Sequence, residues 1–185
     1  MKEVRTVADV IRERRSIREF KADELNIEAV IDLLEDAKWA PNHGLREPWR
    51  IILFHGAGKE KFTESVLRTY SPDEKAKVAE KMTNYLMGIP VHMLVVMKED
   101  PRQKQWEEDF SATSAFIQNF QLLAWEQKIG VVWKTNGYNW HPAFREAVGI
   151  QPGEKIVGTL HLGYFEKVPQ AKPRTDIREK MTIYS

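Results

Sequence analysis

One stretch restricts the possible folds of this chain more than any other. Ala112 to Trp125 reads Ala-Thr-Ser-Ala-Phe-Ile-Gln-Asn-Phe-Gln-Leu-Leu-Ala-Trp, which is apolar or small round nearly the whole circumference of a helix. A helix with one apolar stripe rests on a surface, whereas one that is apolar all round must be covered all round. In a chain of 185 residues that leaves two places for it: the centre of the core, or an interface with a second subunit. The pattern predicts a helix over Trp106–Gln127.

The remaining segments supply the cover. Thr6 to Arg14 is predicted as a short helix, with Thr6 as N-cap, Asp9 at N3 and a stripe of Val7, Val10 and Ile11. Asn26 to Ala40 is a clearer helix, stopped by Pro41, and a loop bounded by Pro41 and Pro48 follows. Arg50–Phe54, Val91–Met97, Gly130–Lys134 and Lys155–Tyr164 read as strands of buried type. Helices are predicted over Lys59–Thr69, from Ser71-Pro72-Asp73-Glu74 to about Leu86, and from His141-Pro142 to Gly149. Ser71 as cap, Pro72 at N1 and Glu74 at N3 make the second of these the strongest start signal in the chain. Gly56-Ala57-Gly58-Lys59 lacks the spacing of a phosphate-binding loop and reads as a turn. Met181–Tyr184 could add a strand to a polar tail that has little to bury against. The order α-α-β-α-α-β-α-β-α-β, without repeat or linker, gives a single domain over residues 1–185. Its expected class is α+β: a small mixed sheet between helical layers, three layers deep.

Composition closes several routes. A net charge of +1 argues against binding nucleic acid through bulk charge. The absence of cysteine excludes disulfides, thiolate metal sites and cysteine nucleophiles. No apolar run reaches membrane-spanning length, and Met1–Arg15 has no apolar signal core, so the expected location is cytoplasmic. The five histidines show no metal-ligand spacing, and no metal site is expected. Glu107, Glu108 and Asp109 lie on consecutive helical positions and fan apart. Ser16 lacks a nucleophile-elbow context, and no glycine fingerprint for a dinucleotide is present.

What remains is Arg12-Glu13-Arg14-Arg15-Ser16-Ile17-Arg18-Glu19-Phe20, at the exit of the first helix. Guanidinium groups there can form bidentate bonds to phosphate, and Ser16 can add a neutral donor. Two structural readings compete with that one. Glu13 and Glu19 can neutralise part of the run, and arginine is favourable at a helix C-terminus without any ligand. The loop with Asn42 and His43, the turn Trp133-Lys134-Thr135, and Lys172-Pro173-Arg174 could converge with the arginines on one ligand. Arginines for a phosphate and tryptophans flanking a planar ring suit a phosphorylated aromatic cofactor.

Four motifs now stand in one order. Arg14-Arg15-Ser16-Ile17-Arg18-Glu19-Phe20 resembles the R-R-S-x-R-x-F opening of the FMN-dependent nitroreductase family. Ala40-Pro41-Asn42-His43 to Pro48-Trp49-Arg50 is similar to that family's proline loop. Gly130-Val131-Val132-Trp133-Lys134-Thr135-Asn136-Gly137 is similar to its G-x-x-W-R-(S/T)-G turn, and Lys172-Pro173-Arg174 to its late K-P-R element. The likeness is greatest to the short, compact bacterial branch. It departs at Leu45 and Glu47, where many members carry asparagine and glutamine, and at Lys134, where arginine is commoner.

The resemblance implies a homodimer with FMN at the interface and a C-terminal tail extending over the partner. It assigns Arg14, Arg15 and Ser16 to the phosphate, with Lys172 and Arg174 completing the charge, and Arg18 to the pyrimidine or ribityl side. Trp39 and His43 are assigned to the flavin from the partner subunit, and Trp133, Lys134 and Thr135 to a second contact zone. The implied activity takes electrons from NAD(P)H to a nitroaromatic or quinone acceptor. It needs no side-chain acid or base, so no catalytic residue is named. A flavin-binding module for storage or sensing, and an adaptor using the arginines alone, are the alternatives.

Overall fold

The computed structural model describes residues 6–184. The elements are α1 (Val7–Glu13), α2 (Ile27–Ala37), β1 (Trp49–His55), α3 (Gly58–Leu67), α4 (Pro72–Met87), β2 (Val91–Lys98), α5 (Gln103–Glu126), β3 (Gly130–Lys134), α6 (Pro142–Ala147) and β4 (Glu154–Gly163). Short 3-10 turns lie at His43–Leu45, Gly137–Trp140 and Ile177–Lys180. Both expected capping boxes form, Thr6 with Asp9 on α1 and Ser71 with Glu74 on α4. Each satisfies helix N-terminal donors that have no partner within the helix.

The four strands lie in the order β1-β2-β4-β3 and pair antiparallel throughout. The mixed character expected of the sheet reduces to one parallel bridge, between Ser16 and Val131. Helices cover both faces. Val91, Met93, Val95 and Met97 of β2 pack with Val30 and Leu33 of α2 and with Phe116, Ile117 and Phe120 of α5. Leu94 and Val96 point the other way, to Phe62 and Val66 of α3, Leu86 of α4 and Phe144 of α6. A strand buried on both faces needs a continuous apolar run, which is why β2 reads without alternation. The α+β class and three-layer arrangement are therefore as expected.

Three details differ. Only Val10 of the α1 stripe is buried, since α1 touches the body through a small cluster of Val10, Ile17 and Trp125, leaving Val7 and Ile11 exposed. Met181–Tyr184 forms no strand and stays exposed, and it pairs with none of the four strands. Helix α2 stops at Ala37 rather than Ala40, its last carbonyls closed by tighter turns through Lys38, Trp39 and Ala40.

Candidate functional site

Helix α1 delivers Arg14 and Arg15 to a corner formed with α5 and the start of β3. Arg15 serves its own helix end, its Nη1 donating to the carbonyls of Arg12 at 2.6 Å and Arg14 at 2.8 Å. The reading of arginine as a helix C-terminal partner therefore holds for part of this side chain. Its Nε is buried without a partner. Among the described residues Arg14 donates to Gln121 Oε1 of α5, at a long 3.5 Å. Its pKa is pushed below the usual arginine value, first by burial, then by the charges of Arg15 and Arg174. Arg14 thus shares its corner with two further guanidinium groups that repel it. None of the three has an ion pair with a carboxylate among the described residues.

Backbone contacts fix this corner to the sheet. Ile17 N–H donates to the Val131 carbonyl at 3.1 Å, beside the Ser16 bridge. Gly130 permits that approach, since a Cβ there would lie 2.8 Å from both Ile17 and Phe165. Phe165 in turn stacks on Trp125 at 5.2 Å, anchoring the start of the tail. Beyond it, Arg18, Ser16 and Lys172 line a cleft of about 970 Å³ between residues 16–23 and the tail.

From Val131, β3 runs roughly 10 Å to Lys134 at strand rise. Lys134 Nζ donates to the Tyr85 hydroxyl at 2.6 Å. Trp133 is laid flat on β4: its Nε1–H donates to the Val157 carbonyl at 3.3 Å, and a Cβ at Gly158 would sit 2.1 Å from that nitrogen. The indole is thus committed to the sheet along one edge. Thr135 is exposed.

The proline-bounded loop is a different kind of structure. Asn42 folds it, accepting from Glu47 N–H at 3.0 Å and donating to the Ala40 carbonyl at 3.1 Å. Leu45 and Glu47 both take positive φ, 51° and 45°, a strained conformation for residues with a β-carbon. They occupy the two positions at which the loop departs from the family pattern. Arg46 holds the loop to α5 through two 3.1 Å bonds to Asp109, which is 3% exposed. Arg102, then Arg46, keep the nearby Asp100 carboxyl well below its ordinary value. Trp39 and Leu45 are each 83% exposed, and His43 lines a second cleft of about 650 Å³ along the first half of α5.

One chain therefore brings together Arg14, Arg15, Ser16 and Arg174, with Arg18 and Lys172 on the adjoining cleft and Trp133–Thr135 along β3. It does not bring the loop with His43 to them. The arginine corner meets α5 at Gln121 and the loop meets it at Asp109, about 18 Å apart along a helix rising 1.5 Å per residue. Glu107, Glu108 and Asp109 do fan apart, to Gln103, Lys104 and Arg46 respectively.

Three features escaped the sequence reading. Gln121 is a buried polar residue in the apolar part of α5, and its polarity there was the available signal. The Arg46–Asp109 pair spans 63 positions and leaves no local trace. His92 and His161 are register partners on β2 and β4, each the one titratable residue in a buried apolar run. His141 caps α6, its Nδ1 accepting from Ala143 N–H at 3.2 Å. No cluster of metal-ligating side chains occurs among the described residues, and none of their helices is long and apolar enough to cross a membrane.

The nitroreductase family model matches residues 11–164. The chain is 38% identical over 181 residues to YfhC of Bacillus subtilis (strain 168), which bears an NAD(P)H nitroreductase name, covering 94% of this chain and 92% of that one. It superposes on a nitroreductase-like family protein from Bacillus cereus with a TM-score of 0.95 at 47% identity, covering 100% and 98% of the two chains. A more distant match is the FMN-dependent nitroreductase NfnB from Mycobacterium smegmatis, solved with NADPH: TM-score 0.75, 15% identity, 97% and 98% coverage.

Proposed function

The chain belongs to the nitroreductase family, and from that premise we propose that it is a homodimeric, FMN-dependent oxidoreductase that oxidises NAD(P)H and reduces a nitroaromatic or quinone acceptor. The observation that carries this reading is the arginine corner: Arg14, Arg15 and Arg174 gathered with no carboxylate paired to them among the described residues, one of them with a buried, unpartnered Nε. Such a cluster is self-repelling until an anion arrives, and a phosphate monoester supplies two negative charges and several acceptors. The residues present therefore fit the phosphate of FMN. The name of the M. smegmatis protein, which binds FMN and NADPH, agrees in cofactor and electron donor.

When bound, flavin would supply the redox chemistry between the nicotinamide and the acceptor. The chain holds it. Arg14, Arg15 and Ser16 take the phosphate, Arg174 and Lys172 add charge from the tail, and β3 leads toward Lys134 and Thr135. Arg18 or Lys134 would place a positive charge beside the flavin ring. Lys134 offers a point charge where arginine would offer a fork, and its bond to Tyr85 fixes that charge in place.

A second copy completes the site in this reading. His43 lies along the first half of α5, away from the arginines, and in this reading Trp39 and His43 reach the flavin from the neighbouring subunit. The half-exposed apolar face of α5 with Ala115, Leu122 and Leu123 supports such a partner, as does a tail whose Ile177, Met181, Ile183 and Tyr184 are all exposed. A single-domain, cytoplasmic enzyme is part of the same reading.

The deciding experiment is the visible spectrum of the purified protein, followed by identification of the released flavin and NAD(P)H oxidation with a nitroaromatic. A yellow protein that releases FMN and turns over is expected. A colourless protein whose melting temperature ignores added FMN would overturn the cofactor. Bound FMN without turnover would leave a storage or sensing module.

A further inference from the structure

Val131 and Trp133 of β3 pack toward α5, so Val132 and Lys134, at alternate positions, face the other side of the sheet. There Val132 is the register partner of His161, and Lys134 that of Thr159. Tyr85 meets Lys134 from the last turn of α4. The ammonium touches it twice: Nζ donates to the phenol oxygen at 2.6 Å and lies 5.0 Å from the ring centre. A lysine head is otherwise a point charge on a flexible four-carbon stem. Two contacts to one residue of a helix fix where that charge stands.

The charge is held without being cancelled. Lys134 has no ion pair with a carboxylate among the described residues, and Tyr85 answers it with a lone pair and a ring face. His161 stands edge-on to the Tyr85 ring at 6.4 Å, and its Nδ1 lies 2.8 Å from that of His92. Both histidines are buried. Burial pushes them well down from the ordinary value, His92 to about 3 and His161 to about 2, and the Lys134 charge adds to each shift. Both rings are therefore neutral at pH 7. Of the three ammonium donors, the bond to Tyr85 uses one.

We propose that Tyr85 is a positioning residue of the flavin site: it holds the Lys134 ammonium, uncancelled, at the end of β3, and the cation so placed raises the reduction potential of bound FMN. The role rests on the reading of Lys134 as a flavin contact. Reduction adds electrons to the ring, and a fixed positive charge beside it favours the form that carries more of them. A lysine left loose would have to give up its rotamer freedom to do the same. Held by Tyr85, it has given that up before the flavin arrives.

Midpoint potentials of bound FMN test this, measured by spectrophotometric reduction against a reference dye in wild type, Lys134→Met, Tyr85→Phe and the double variant. Tyr85 is 40% exposed and Lys134 half-buried, so all three variants should fold. Lys134→Met removes one charge-assisted contact and should weaken reduced FMN against oxidised FMN about tenfold, a two-electron shift of about −30 mV. Tyr85→Phe keeps the charge and the ring but frees the ammonium, and should give about threefold in the same direction. With methionine at position 134, Tyr85→Phe should change nothing further, because no charge is left to hold. A merely structural tyrosine would shift the potential with or without Lys134. Bound FMN whose potential ignores Lys134→Met or Tyr85→Phe, or a Tyr85→Phe shift that persists in the double variant, would overturn the positioning role and leave the FMN reading standing. A wild-type protein that takes up no FMN would overturn both.

Discussion

The two ends of α5 each carry an arginine cluster, and they are built on opposite principles. At the Asp109 end the arginines are answered by carboxylates. Arg46 binds Asp109 through two nitrogens and lies 3.7 Å from Asp100, which is also bound by Arg102 at 2.8 Å. At the Gln121 end Arg14, Arg15 and Arg174 have no carboxylate among the described residues, and the partners they do have are an amide and backbone carbonyls. An answered arginine is spent on holding structure. Arginines left unanswered and pressed together cost stability in the free protein, and that is reasonable only where an anion binds.

The comparison predicts opposite phenotypes. Replacing Arg14 and Arg15 together by alanine should weaken FMN binding about a thousandfold, since two charge-assisted contacts contribute roughly 2 kcal/mol each. Without FMN, the double variant should unfold no earlier than wild type, because the change removes mutual repulsion. Fluorescence titration of FMN and a thermal melt of the flavin-free protein measure the two effects. A double variant that keeps full flavin affinity would break the contrast outright.

Acid separates both ends from the opposite face of the sheet. Between pH 7 and 5 no arginine loses its proton and Asp100, held below its ordinary 3.8, stays ionised, so neither set of contacts changes. His92 and His161 do respond. Their folded values, about 3 and about 2, lie below the ordinary 6.5, so their stabilising neutral state is fully in place above pH 6.5. That contribution declines as pH falls from there toward 3, because only the unfolded chain takes up the protons. Two groups over 1.5 pH units predict a loss of about 4 kcal/mol between pH 7 and 5. Urea unfolding at the two pH values checks it, and His161→Phe should make the slope shallower. An unchanged stability would mean that the pair is not buried in solution.

At the answered end, Arg46→Ala should lower stability by about 2 kcal/mol, because Asp109 loses two charge-assisted bonds while remaining buried. Equilibrium urea unfolding gives the number. The subsequent loss of flavin should be modest and follow loop disorder, not the charge itself.

How much of this was legible differs along the chain for physical reasons. Element order, both capping boxes and the buried strands follow from residues within a few positions of one another, and periodicity reports those. The arginine corner was legible as a motif, but not its state. Arg15 capping its own helix, and Arg174 arriving from 160 positions away, are products of tertiary folding. The division of the site between two subunits is an expectation of the resemblance and not of the motif order, because a motif lists residues in order, not in space. Register is the reason the histidine pair was missed. His92 and His161 look like isolated polar residues until β2 and β4 are laid side by side, and nothing local in either strand fixes that alignment.

Arg174 gives the smallest expected effect and the finest test of the contrast. Its guanidinium contributes to the depressed pKa of Arg14, yet the side chain is exposed and its one bond is to the Lys172 carbonyl at 3.1 Å. Water screens an exposed charge, so Arg174→Ala should weaken FMN binding by no more than about fivefold, the range of exposed ion pairs. That loss should fade as salt rises, whereas the loss from Arg14 and Arg15, whose guanidiniums are part-buried, should persist. Titrations of both variants at low and high ionic strength separate the two. A salt-resistant, much larger effect of Arg174→Ala would mean that the tail closes over the phosphate once FMN binds, and that the corner is completed by ligand rather than preformed.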